Sequence, residues 1–343
     1  MSYQTLYFIS FAVALLAAAL ATPVCRAIAL KLNVMDKPAG EIKTHKESTP
    51  YMGGIAIAFG WIVSLFLIRA STDFPDGTLR SLRGIIYGAL IVALLGFIDD
   101  KKYKGLGPKT KLAFQTVAAC IAVFGFGIKV SFIPYYWVSC IVSVFWIVGI
   151  TNAFNIIDIM DGLSSGIAFI ASLAFLFISL PTEMIYVNFC AAALAGALLG
   201  FIPYNLSKSK KIFMGDTGSL FIGFILSCLA MGTSYTQMNE IGLFAPLLIL
   251  AIPIYETFLV SWIRMRKGKS PLMGSKDHYA LRMEKMGFSR RQILIITSCV
   301  CAALSVFAYL FTKTPLMYAV LLFVFMLACL WAASVKLASV KIE

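Results

Sequence analysis

Acidic residues stand at the ends of long apolar runs, where a charge is costly and is usually functional. Asp99 and Asp100 end one such run in the segment GFIDDKKYKGLGPKTK. Adjacent acids on a helix end point about 100° apart, so one can face a metal while the other faces a substrate or a lysine. Neutralisation by Lys101 and Lys102 is the structural alternative, but a helix dipole favours cations at this end. We therefore predict a catalytic role for both acids.

A second segment, NAFNIIDIMDGLSSG, has a polar residue at every third position. On a helix such residues wind slowly around one face and form a polar stripe in an apolar neighbourhood. Carboxylate and amide oxygens are hard ligands of the kind that Mg²⁺ or Mn²⁺ accepts. A cap and turn ending in Asp161–Gly162 would explain one acid but not the series. We predict that Asp158 and Asp161 are catalytic and that Asn152 and Asn155 bind substrate.

A third segment, FMGDTGSLFIG, begins an apolar run with glycines around Asp216. Glycine lets the backbone approach a ligand closely, and the free N–H groups of a helix start suit a phosphate. Asp216 is a predicted metal ligand, although capping of the helix would explain it as well. Upstream of it, Asn205 and Lys211 add an amide and a cation.

The loop around residues 264–291 is strongly basic. Arginine binds phosphate through two hydrogen bonds at once, although anchoring at a membrane surface would explain most of these residues. His278, one of two histidines in the chain, stands beside Asp277, which suggests a catalytic or phosphate-binding role. The predicted substrate-binding arginines of the loop are Arg264, Arg266 and Arg282.

The runs between these segments are long enough to cross a bilayer. The 343 residues are 60% hydrophobic and 13% charged, whereas a soluble domain carries about 25% charged residues. About 20 apolar residues span a bilayer core. We therefore predict an all-α polytopic membrane protein that forms one integral membrane catalytic domain over residues 1–343. The eleven predicted transmembrane helices lie at roughly 3–25, 51–69, 84–98, 110–127, 135–152, 162–180, 184–204, 216–232, 241–263, 291–311 and 315–335.

The distribution of basic residues predicts the orientation. Most of the 29 lysines and arginines lie in inward segments if the N-terminus is outside and the C-terminus is cytoplasmic. Such an inner surface attracts anionic lipids and phosphorylated metabolites. No nucleic acid is expected as a partner, because the basic residues lie in short loops and not on a soluble module. The predicted cytoplasmic loops are about 26–50, 99–111, 153–161, 205–215 and 264–290.

Five segments resemble, in order, the motifs of one family, the polyprenyl-phosphate N-acetylhexosamine-1-phosphate transferases (glycosyltransferase family 4 membrane enzymes). The resemblance covers residues 34 to about 290 and extends to phospho-MurNAc-pentapeptide transferase. It implies Mg²⁺-dependent transfer of a sugar-1-phosphate from a UDP-N-acetyl sugar to a polyprenyl phosphate such as undecaprenyl phosphate, with release of UMP. This would be the first membrane step of cell-envelope glycan synthesis, at the cytoplasmic face of the inner (plasma) membrane. The segments are MDKPAG…KTHKESTPYMGG, GFIDDKKYKGLGPKTKLAFQ, TNAFNIIDIMDGLSSG, PYNLSKSKKIFMGDTGSLFIG and RKGKSPL.

The resemblance also implies roles for individual residues. Asp99 and Asp100 match paired aspartates, one of which is proposed as a base toward the lipid phosphate. Asp216 matches a Mg²⁺ ligand, and Asp161 is a second expected ligand at the nucleotide and metal site. His278 matches the first histidine of the last motif. Further positions matched or assigned to nucleotide, metal or substrate are Lys43, Lys111, Asn155, Asp158, Asn205 and Lys211.

The chain departs from the family in the last motif, where Ala280 and Leu281 replace two histidines of many relatives. The peptidoglycan enzyme's three-histidine run is also absent, which argues against the peptidoglycan substrate and leaves the sugar open, with GlcNAc as the predicted one. Another UDP-N-acetyl sugar or UDP-MurNAc-pentapeptide is the alternative. A transporter or lipid flippase would need charges near the bilayer midplane, where Glu256 is the candidate. Small-residue spacings such as Gly196/Gly200 favour packing within the bundle and allow a homodimer without requiring one.

Overall fold

The computed structural model describes residues 2–36, 48–102, 105–236, 240–270 and 275–340. The secondary structure of these residues is helical except for two antiparallel two-residue strands, β1 (Met35–Asp36) and β2 (Thr49–Pro50). The prediction of an all-α polytopic membrane protein is confirmed. The helices are α1 (Tyr3–Lys31), α2 (Gly53–Ser71), α3 (Thr78–Lys101), α4 (Pro108–Cys120), α5 (Tyr136–Ile157), α6 (Leu163–Ser179), α7 (Ile185–Asn205), α8 (Gly215–Gly232), α9 (Ala245–Ile249), α10 (Ala251–Arg266), α11 (Tyr279–Lys285), α12 (Arg290–Lys313) and α13 (Leu316–Ser339).

Within the described residues, nine helical segments are long and apolar enough to cross a bilayer, namely α1, α2, α3, α5, α6 with its last turn, α7, α8, α12 and α13. Helices α9 and α10, bent by 67° at their junction, together make a tenth candidate. Each of these coincides with a predicted span. The remaining prediction, 110–127, falls on α4, which has 13 residues before a π-helical turn at Ile121–Gly125. The number of spans and the sides of the termini stay predictions.

The chain divides into two compact units. The first contains α1 to α8 and the strand pair, and the second contains α9 to α13. The predicted single catalytic domain remains a prediction. In the first unit, α7 and α8 are buried along most of their length. A Cβ on Gly196 would lie 2.1 Å from the carbonyl oxygen of Phe11, and one on Gly200 would lie 2.4 Å from that of Leu15. This small-residue spacing therefore serves the close packing of α7 on α1.

The C-terminal ends of α3 and α5 meet the N-terminal ends of α4 and α8 at one end of the first unit. The segment that leads into α8 also pairs with the start of α2. The N–H of Phe213 donates to the carbonyl of Pro50 at 2.9 Å, and the N–H of Gly53 donates to the carbonyl of Phe213 at 2.9 Å. The N–H of Gly54 donates to the carbonyl of Met214 at 3.0 Å. These main-chain bonds set where α8 begins relative to α2.

Candidate active site

A lysine lies between two carboxylates where α3 ends and α8 begins. Lys111, in the first turn of α4, pairs with Oδ2 of Asp99 at 2.8 Å and with Oδ2 of Asp216. The other oxygen of Asp99 accepts the N–H of Leu106. The three charged side chains are mostly buried. Since water screens such charges poorly, the electrostatic attraction between them is stronger than between charges on an open surface.

The second oxygen of Asp216 is held from α5. Nδ2 of Asn155 donates to Oδ1 of Asp216 at 2.9 Å and also to Oγ of Ser219 at 3.0 Å. Asn155 lies in the last turn of α5, and Ser219 lies one turn into α8. The carboxylate of Asp216 is therefore oriented by a cation on one side and an amide on the other.

Asp100 has a different environment from its neighbour Asp99. Its Oδ1 accepts the N–H of Asp216 at 2.8 Å. Its Oδ2 accepts the N–H of Thr217 at 3.1 Å and the hydroxyl of Thr217 at 2.7 Å. Both oxygens are thus directed at the start of α8, and the two adjacent acids do face different partners, as their helical offset predicts.

Two further acids lie in the turn between α5 and α6. Asp161 pairs with Lys211 at 2.6 Å. The carboxylate of Asp158 makes no hydrogen bond or ion pair with the described residues. Burial raises the pKa of Asp158 well above its usual range, and the charges of Asp216, Asp100 and Asp161 raise it further. A carboxylate without a counter-ion among other acids is a place where a bound cation would be stabilised.

Two predicted amides form hydrogen bonds within the protein. Nδ2 of Asn152 donates to the side chain of Gln115, which joins α5 to α4. Oδ1 of Asn205 accepts the N–H of Gly162 at 2.6 Å, and its Nδ2 donates to the carbonyl of Ile212 at 3.0 Å. Asn205 therefore ties the turn before α6 to the segment before α8. Substrate binding by both amides stays a prediction.

Sequence reasoning missed three residues that contact the site, namely Gln115, Thr217 and Ser219. Gln115 follows Lys111 by four positions on α4, so the two share a helix face, and this spacing was a usable signal. Thr217 and Ser219 lie within the FMGDTGSLFIG segment, but their partners come from α3 and α5. No local pattern reveals such partners.

In the second unit, a buried glutamate holds the start of α11. Oε1 of Glu256 lies 2.7 Å from Nδ1 of His278, and Oε2 accepts the N–H of Tyr279 at 3.1 Å. Glu256 and His278 are both buried. The contact with Glu256 fixes the orientation of the imidazole ring and turns Nε2 away from the glutamate.

Asp277 forms ion pairs with two cations of the same unit. Its Oδ1 lies 2.8 Å from Lys267 and 3.1 Å from Arg282, and its Oδ2 accepts the hydroxyl of Ser275 at 2.9 Å. Burial acts to raise the pKa of Asp277, but the bonds from Lys267 and Ser275 and the nearby cations hold this pKa below its usual value. Arg282 also donates to two main-chain carbonyls near the end of α13. Its guanidinium is therefore engaged within the unit.

The other predicted phosphate ligands have varied surroundings. Nε of Arg264 donates to the carbonyl of Ser270 at 2.7 Å. The guanidinium of Arg266 lies 4.4 Å from the ring centroid of Trp262. Lys43 lies outside the described residues. Substrate binding by these three residues stays a prediction.

The structure thus sorts the predicted residues into two groups. Those in the second unit are His278, Arg264, Arg266 and Arg282. Those near one another in the first unit are Asp99, Asp100, Lys111, Asn152, Asn155, Asp158, Asp161, Asn205, Lys211 and Asp216.

The donors of the first unit fit Mg²⁺. This ion is usually bound by one or two carboxylates, while water and substrate phosphates complete its octahedron. Asp216 and Asp158 supply two such carboxylates, and no lysine or arginine of the described residues pairs with Asp158. Among the residues that the structure describes, no three His, Cys, Asp or Glu side chains form a group able to enclose a metal.

The fold and this cluster define a multi-pass membrane protein with an acidic, metal-compatible site. Residues 82–234, which include all five of its clustered acids, match the glycosyl transferase family 4 model. A probable undecaprenyl-phosphate N-acetylglucosaminyl 1-phosphate transferase of Bacillus subtilis is 32% identical over 298 residues, which cover 84% of this chain and 80% of the relative. The chain belongs to glycosyl transferase family 4, as the motif resemblance implied.

Two other relatives carry related names. A decaprenyl-phosphate N-acetylglucosaminephosphotransferase of Mycolicibacterium smegmatis is 32% identical, over 80% of this chain and 75% of its own length. A phospho-N-acetylmuramoyl-pentapeptide-transferase of Streptococcus gordonii is 30% identical, over 73% of this chain and 79% of its own length. The relatives therefore include both phospho-sugar classes that the motifs left open.

Proposed function

We propose that the protein transfers GlcNAc-1-phosphate from UDP-GlcNAc to undecaprenyl phosphate or another polyprenyl phosphate and releases UMP. The observation that carries this proposal is Lys111 between Asp99 and Asp216, near Asp158, which has no partner among the described residues, at the ends of apolar helices. The acids suit a divalent cation and the lysine suits a phosphate. Their position lets a soluble nucleotide meet a phosphate that is tethered in lipid.

The chemistry is a single displacement at phosphorus. An oxygen of the lipid phosphate attacks the β-phosphorus of the UDP-sugar, the bond from this phosphorus to the bridging oxygen breaks, and UMP leaves. A phosphate monoester has a second pKa of about 6, so the nucleophile is largely ionised at neutral pH. Proton abstraction therefore contributes little, and alignment and charge neutralisation contribute most.

The residues of the site have different proposed roles in this reaction. Asp216 and Asp158, with Asp161 nearby, hold Mg²⁺ in this proposal, and Mn²⁺ is an alternative. When bound, the ion neutralises charge on the phosphates. Lys111 holds the carboxylates of Asp99 and Asp216 and is placed to neutralise a phosphate oxygen. His278, whose ring is oriented by Glu256, is a proposed phosphate ligand.

The choice of sugar rests on two observations. Ala280 and Leu281 replace histidines in the last motif, which argues against the pentapeptide donor. The two relatives named for N-acetylglucosamine also match more of this chain than the pentapeptide transferase does. The proposed site faces the cytoplasm, because the basic residues favour that orientation and UDP-sugars are soluble.

Transport has less support. A transport function would be supported by a charged side chain that lies inside a membrane span and has no partner there. Glu256 is the acid in question, and both of its oxygens have partners in its own unit. Glu256 therefore does not argue for a substrate pathway.

Product identification tests the proposal directly. Purified protein with Mg²⁺, undecaprenyl phosphate and UDP-GlcNAc should yield UMP and a GlcNAc-diphospholipid, both identified by mass spectrometry. A panel of other UDP-N-acetyl sugars and UDP-MurNAc-pentapeptide determines the donor. UMP release that needs no polyprenyl phosphate would contradict the proposal, and so would folded protein that makes no lipid product from any donor.

A pair of acid-to-amide variants tests the metal assignment. Asp216→Asn should lower kcat about 100-fold or more, because losing charge neutralisation at a phosphoryl transfer costs several kcal/mol. Asp73→Asn is the matched control, since the side chain of Asp73 is exposed and pairs with the half-exposed Arg69. Near-normal turnover of Asp216→Asn with Mg²⁺ would show that the assignment is wrong.

A further inference from the structure

Helix α8 begins without a capping side chain of its own. The first N–H groups of a helix have no partner within it, and the residue at the cap position, Met214, supplies no side-chain hydrogen bond. The N–H groups of Asp216 and Thr217 donate to Asp100 of α3, at 2.8 Å and 3.1 Å. Asp100 thus caps a helix that begins more than a hundred residues later in the chain.

The close approach of the two helices is built into their backbones. Gly215 has a φ of +69°, and a Cβ there would lie 2.4 Å from Oδ2 of Asp100. On α3, a Cβ on Gly96 would lie 2.4 Å from the main-chain carbonyl carbon of Asp216. One glycine on each side therefore lets the carboxylate reach the N–H groups.

The acceptor capacity of Asp100 is nearly used up by this contact. A carboxylate has about four acceptor positions, and three of those on Asp100 are taken by the start of α8. The partial positive charge of a helix N-terminus further favours an anion there. A general base, by contrast, needs an oxygen within hydrogen-bond reach of the proton it removes.

We infer that Asp100 is a positioning residue that fixes the start of α8, and with it Asp216, and is not the base toward the lipid phosphate. The inference rests on the proposed function, of which it refines one residue role. Asp100 acts through the main chain of Asp216, whose carboxylate is oriented separately by Lys111 and Asn155. Loss of Asp100 therefore displaces a carboxylate that would otherwise be correctly paired.

Amide hydrogen exchange tests the contact itself in the free protein. In the wild type, the amides of residues 216 and 217 should exchange slowly because Asp100 accepts both. Asp100→Asn and Gly215→Ala should each speed exchange at these two amides by about 10- to 100-fold, the range expected for loss of a hydrogen bond to a charged group. Unchanged exchange at both amides in both variants would overturn the inference.

A milder variant guards against misfolding. Thr217→Val keeps the side-chain shape but removes the hydroxyl bond to Asp100. It should lower kcat about 3- to 10-fold, within the range for one hydrogen bond, and add nothing further in the Asp100→Asn background. Thr116→Val is the control, because the hydroxyl of Thr116 is exposed and bonds within its own helix. Additive losses from Asp100→Asn and Thr217→Val would overturn the inference.

Two further measurements separate positioning from base catalysis. Residual activity of Asp100→Asn should keep the wild-type shape of its pH profile, whereas loss of the acidic limb would identify Asp100 as the base. Binding of Mn²⁺ to the free protein can be followed by electron paramagnetic resonance. The affinity for Mn²⁺ should fall in both Asp100→Asn and Gly215→Ala, by a similar factor in the two variants. Wild-type affinity in both variants would count against a positioning role for Asp100. Exchange and Mn²⁺ binding need no substrate, so they decide the inference even if the sugar or the reaction has been assigned wrongly.

Discussion

Replacing Lys111 by methionine should destabilise the metal-free protein by about 3 kcal/mol. The change removes an ammonium that pairs with both Asp99 and Asp216. Breaking a buried ion pair from one side costs about 3–5 kcal/mol, because a charge is left uncompensated. The side chains of Lys111 and Asp216 keep 20% and 24% of their exposure, so some screening by water remains and the low end applies.

The same variant should bind a divalent cation more tightly than the wild type. In the wild type a cation that binds Asp216 must displace Lys111, whereas in Lys111→Met this competitor is removed. Removing a competitor worth about 1.4 kcal/mol lowers Kd about tenfold. At saturating Mg²⁺ this adds about 1.4 kcal/mol to the stabilisation by the metal, since ligand stabilisation grows with the logarithm of concentration over Kd. Turnover should nevertheless fall, because the lysine is lost from the phosphate site.

Thermal unfolding of purified protein in EDTA and in a Mg²⁺ series measures both effects. Lys267→Met is the matched control, because Lys267 pairs with Asp277 at 2.8 Å in the second unit. The control should lower Tm in EDTA and leave the rise caused by Mg²⁺ at its wild-type size. A rise in Lys111→Met no larger than in the wild type would refute the competition between lysine and metal.

Three other changes have expected outcomes. Asp158→Asn should raise Tm in EDTA at neutral pH, because the raised pKa of Asp158 means that its ionisation destabilises the folded state. This gain in Tm should fade as pH falls from the raised pKa toward about 4, the usual pKa of an aspartate. A gain in Tm that does not depend on pH would contradict this explanation. Asp277→Asn should cost about 3 kcal/mol by leaving the buried Arg282 without its carboxylate partner, although its bonds to main-chain carbonyls remain. Since the pKa of Asp277 is lowered, its stabilisation is present above about pH 4 and is lost as pH falls through the lowered value, which unfolding curves at several pH values would show. Glu256→Gln should lower kcat about tenfold, because the imidazole of His278 is then oriented less firmly. Adding Glu256→Gln to His278→Asn should cause little further loss of kcat. Independent losses in the double variant would count against this coupling.

Hydropathy predicted most of the fold because each span is an uninterrupted local signal. The exception is α4, where Lys111 and Gln115 interrupt the apolar run with groups that the site uses. The bend between α9 and α10 was not predicted either. Its position between Pro246 and Pro253 is consistent with two residues that lack a main-chain N–H.

Residue type and position identified the acids of the site but not their partners. Asp100 and Thr217 lie 117 positions apart, and Lys111 and Asp216 lie 105 apart, so no local spacing relates them. Residue type also failed to show which donors are already engaged within the fold. Asn205 was predicted to bind substrate, yet the structure directs both ends of its amide at main-chain groups.

The capping of α8 by Asp100 has a consequence for biosynthesis. A ribosome adds about 5–20 residues per second, so residue 216 follows residue 100, 116 positions earlier, by about 6 to 23 s. Lys111, the partner of Asp99, is synthesised early in that interval. The partners of Asp100 are the first N–H groups of α8, which are synthesised at its end. Insertion of α8 is therefore the step that completes the acidic cluster of the first unit, and a nascent chain stalled before it would leave Asp100 without the N–H groups that it accepts in the folded protein.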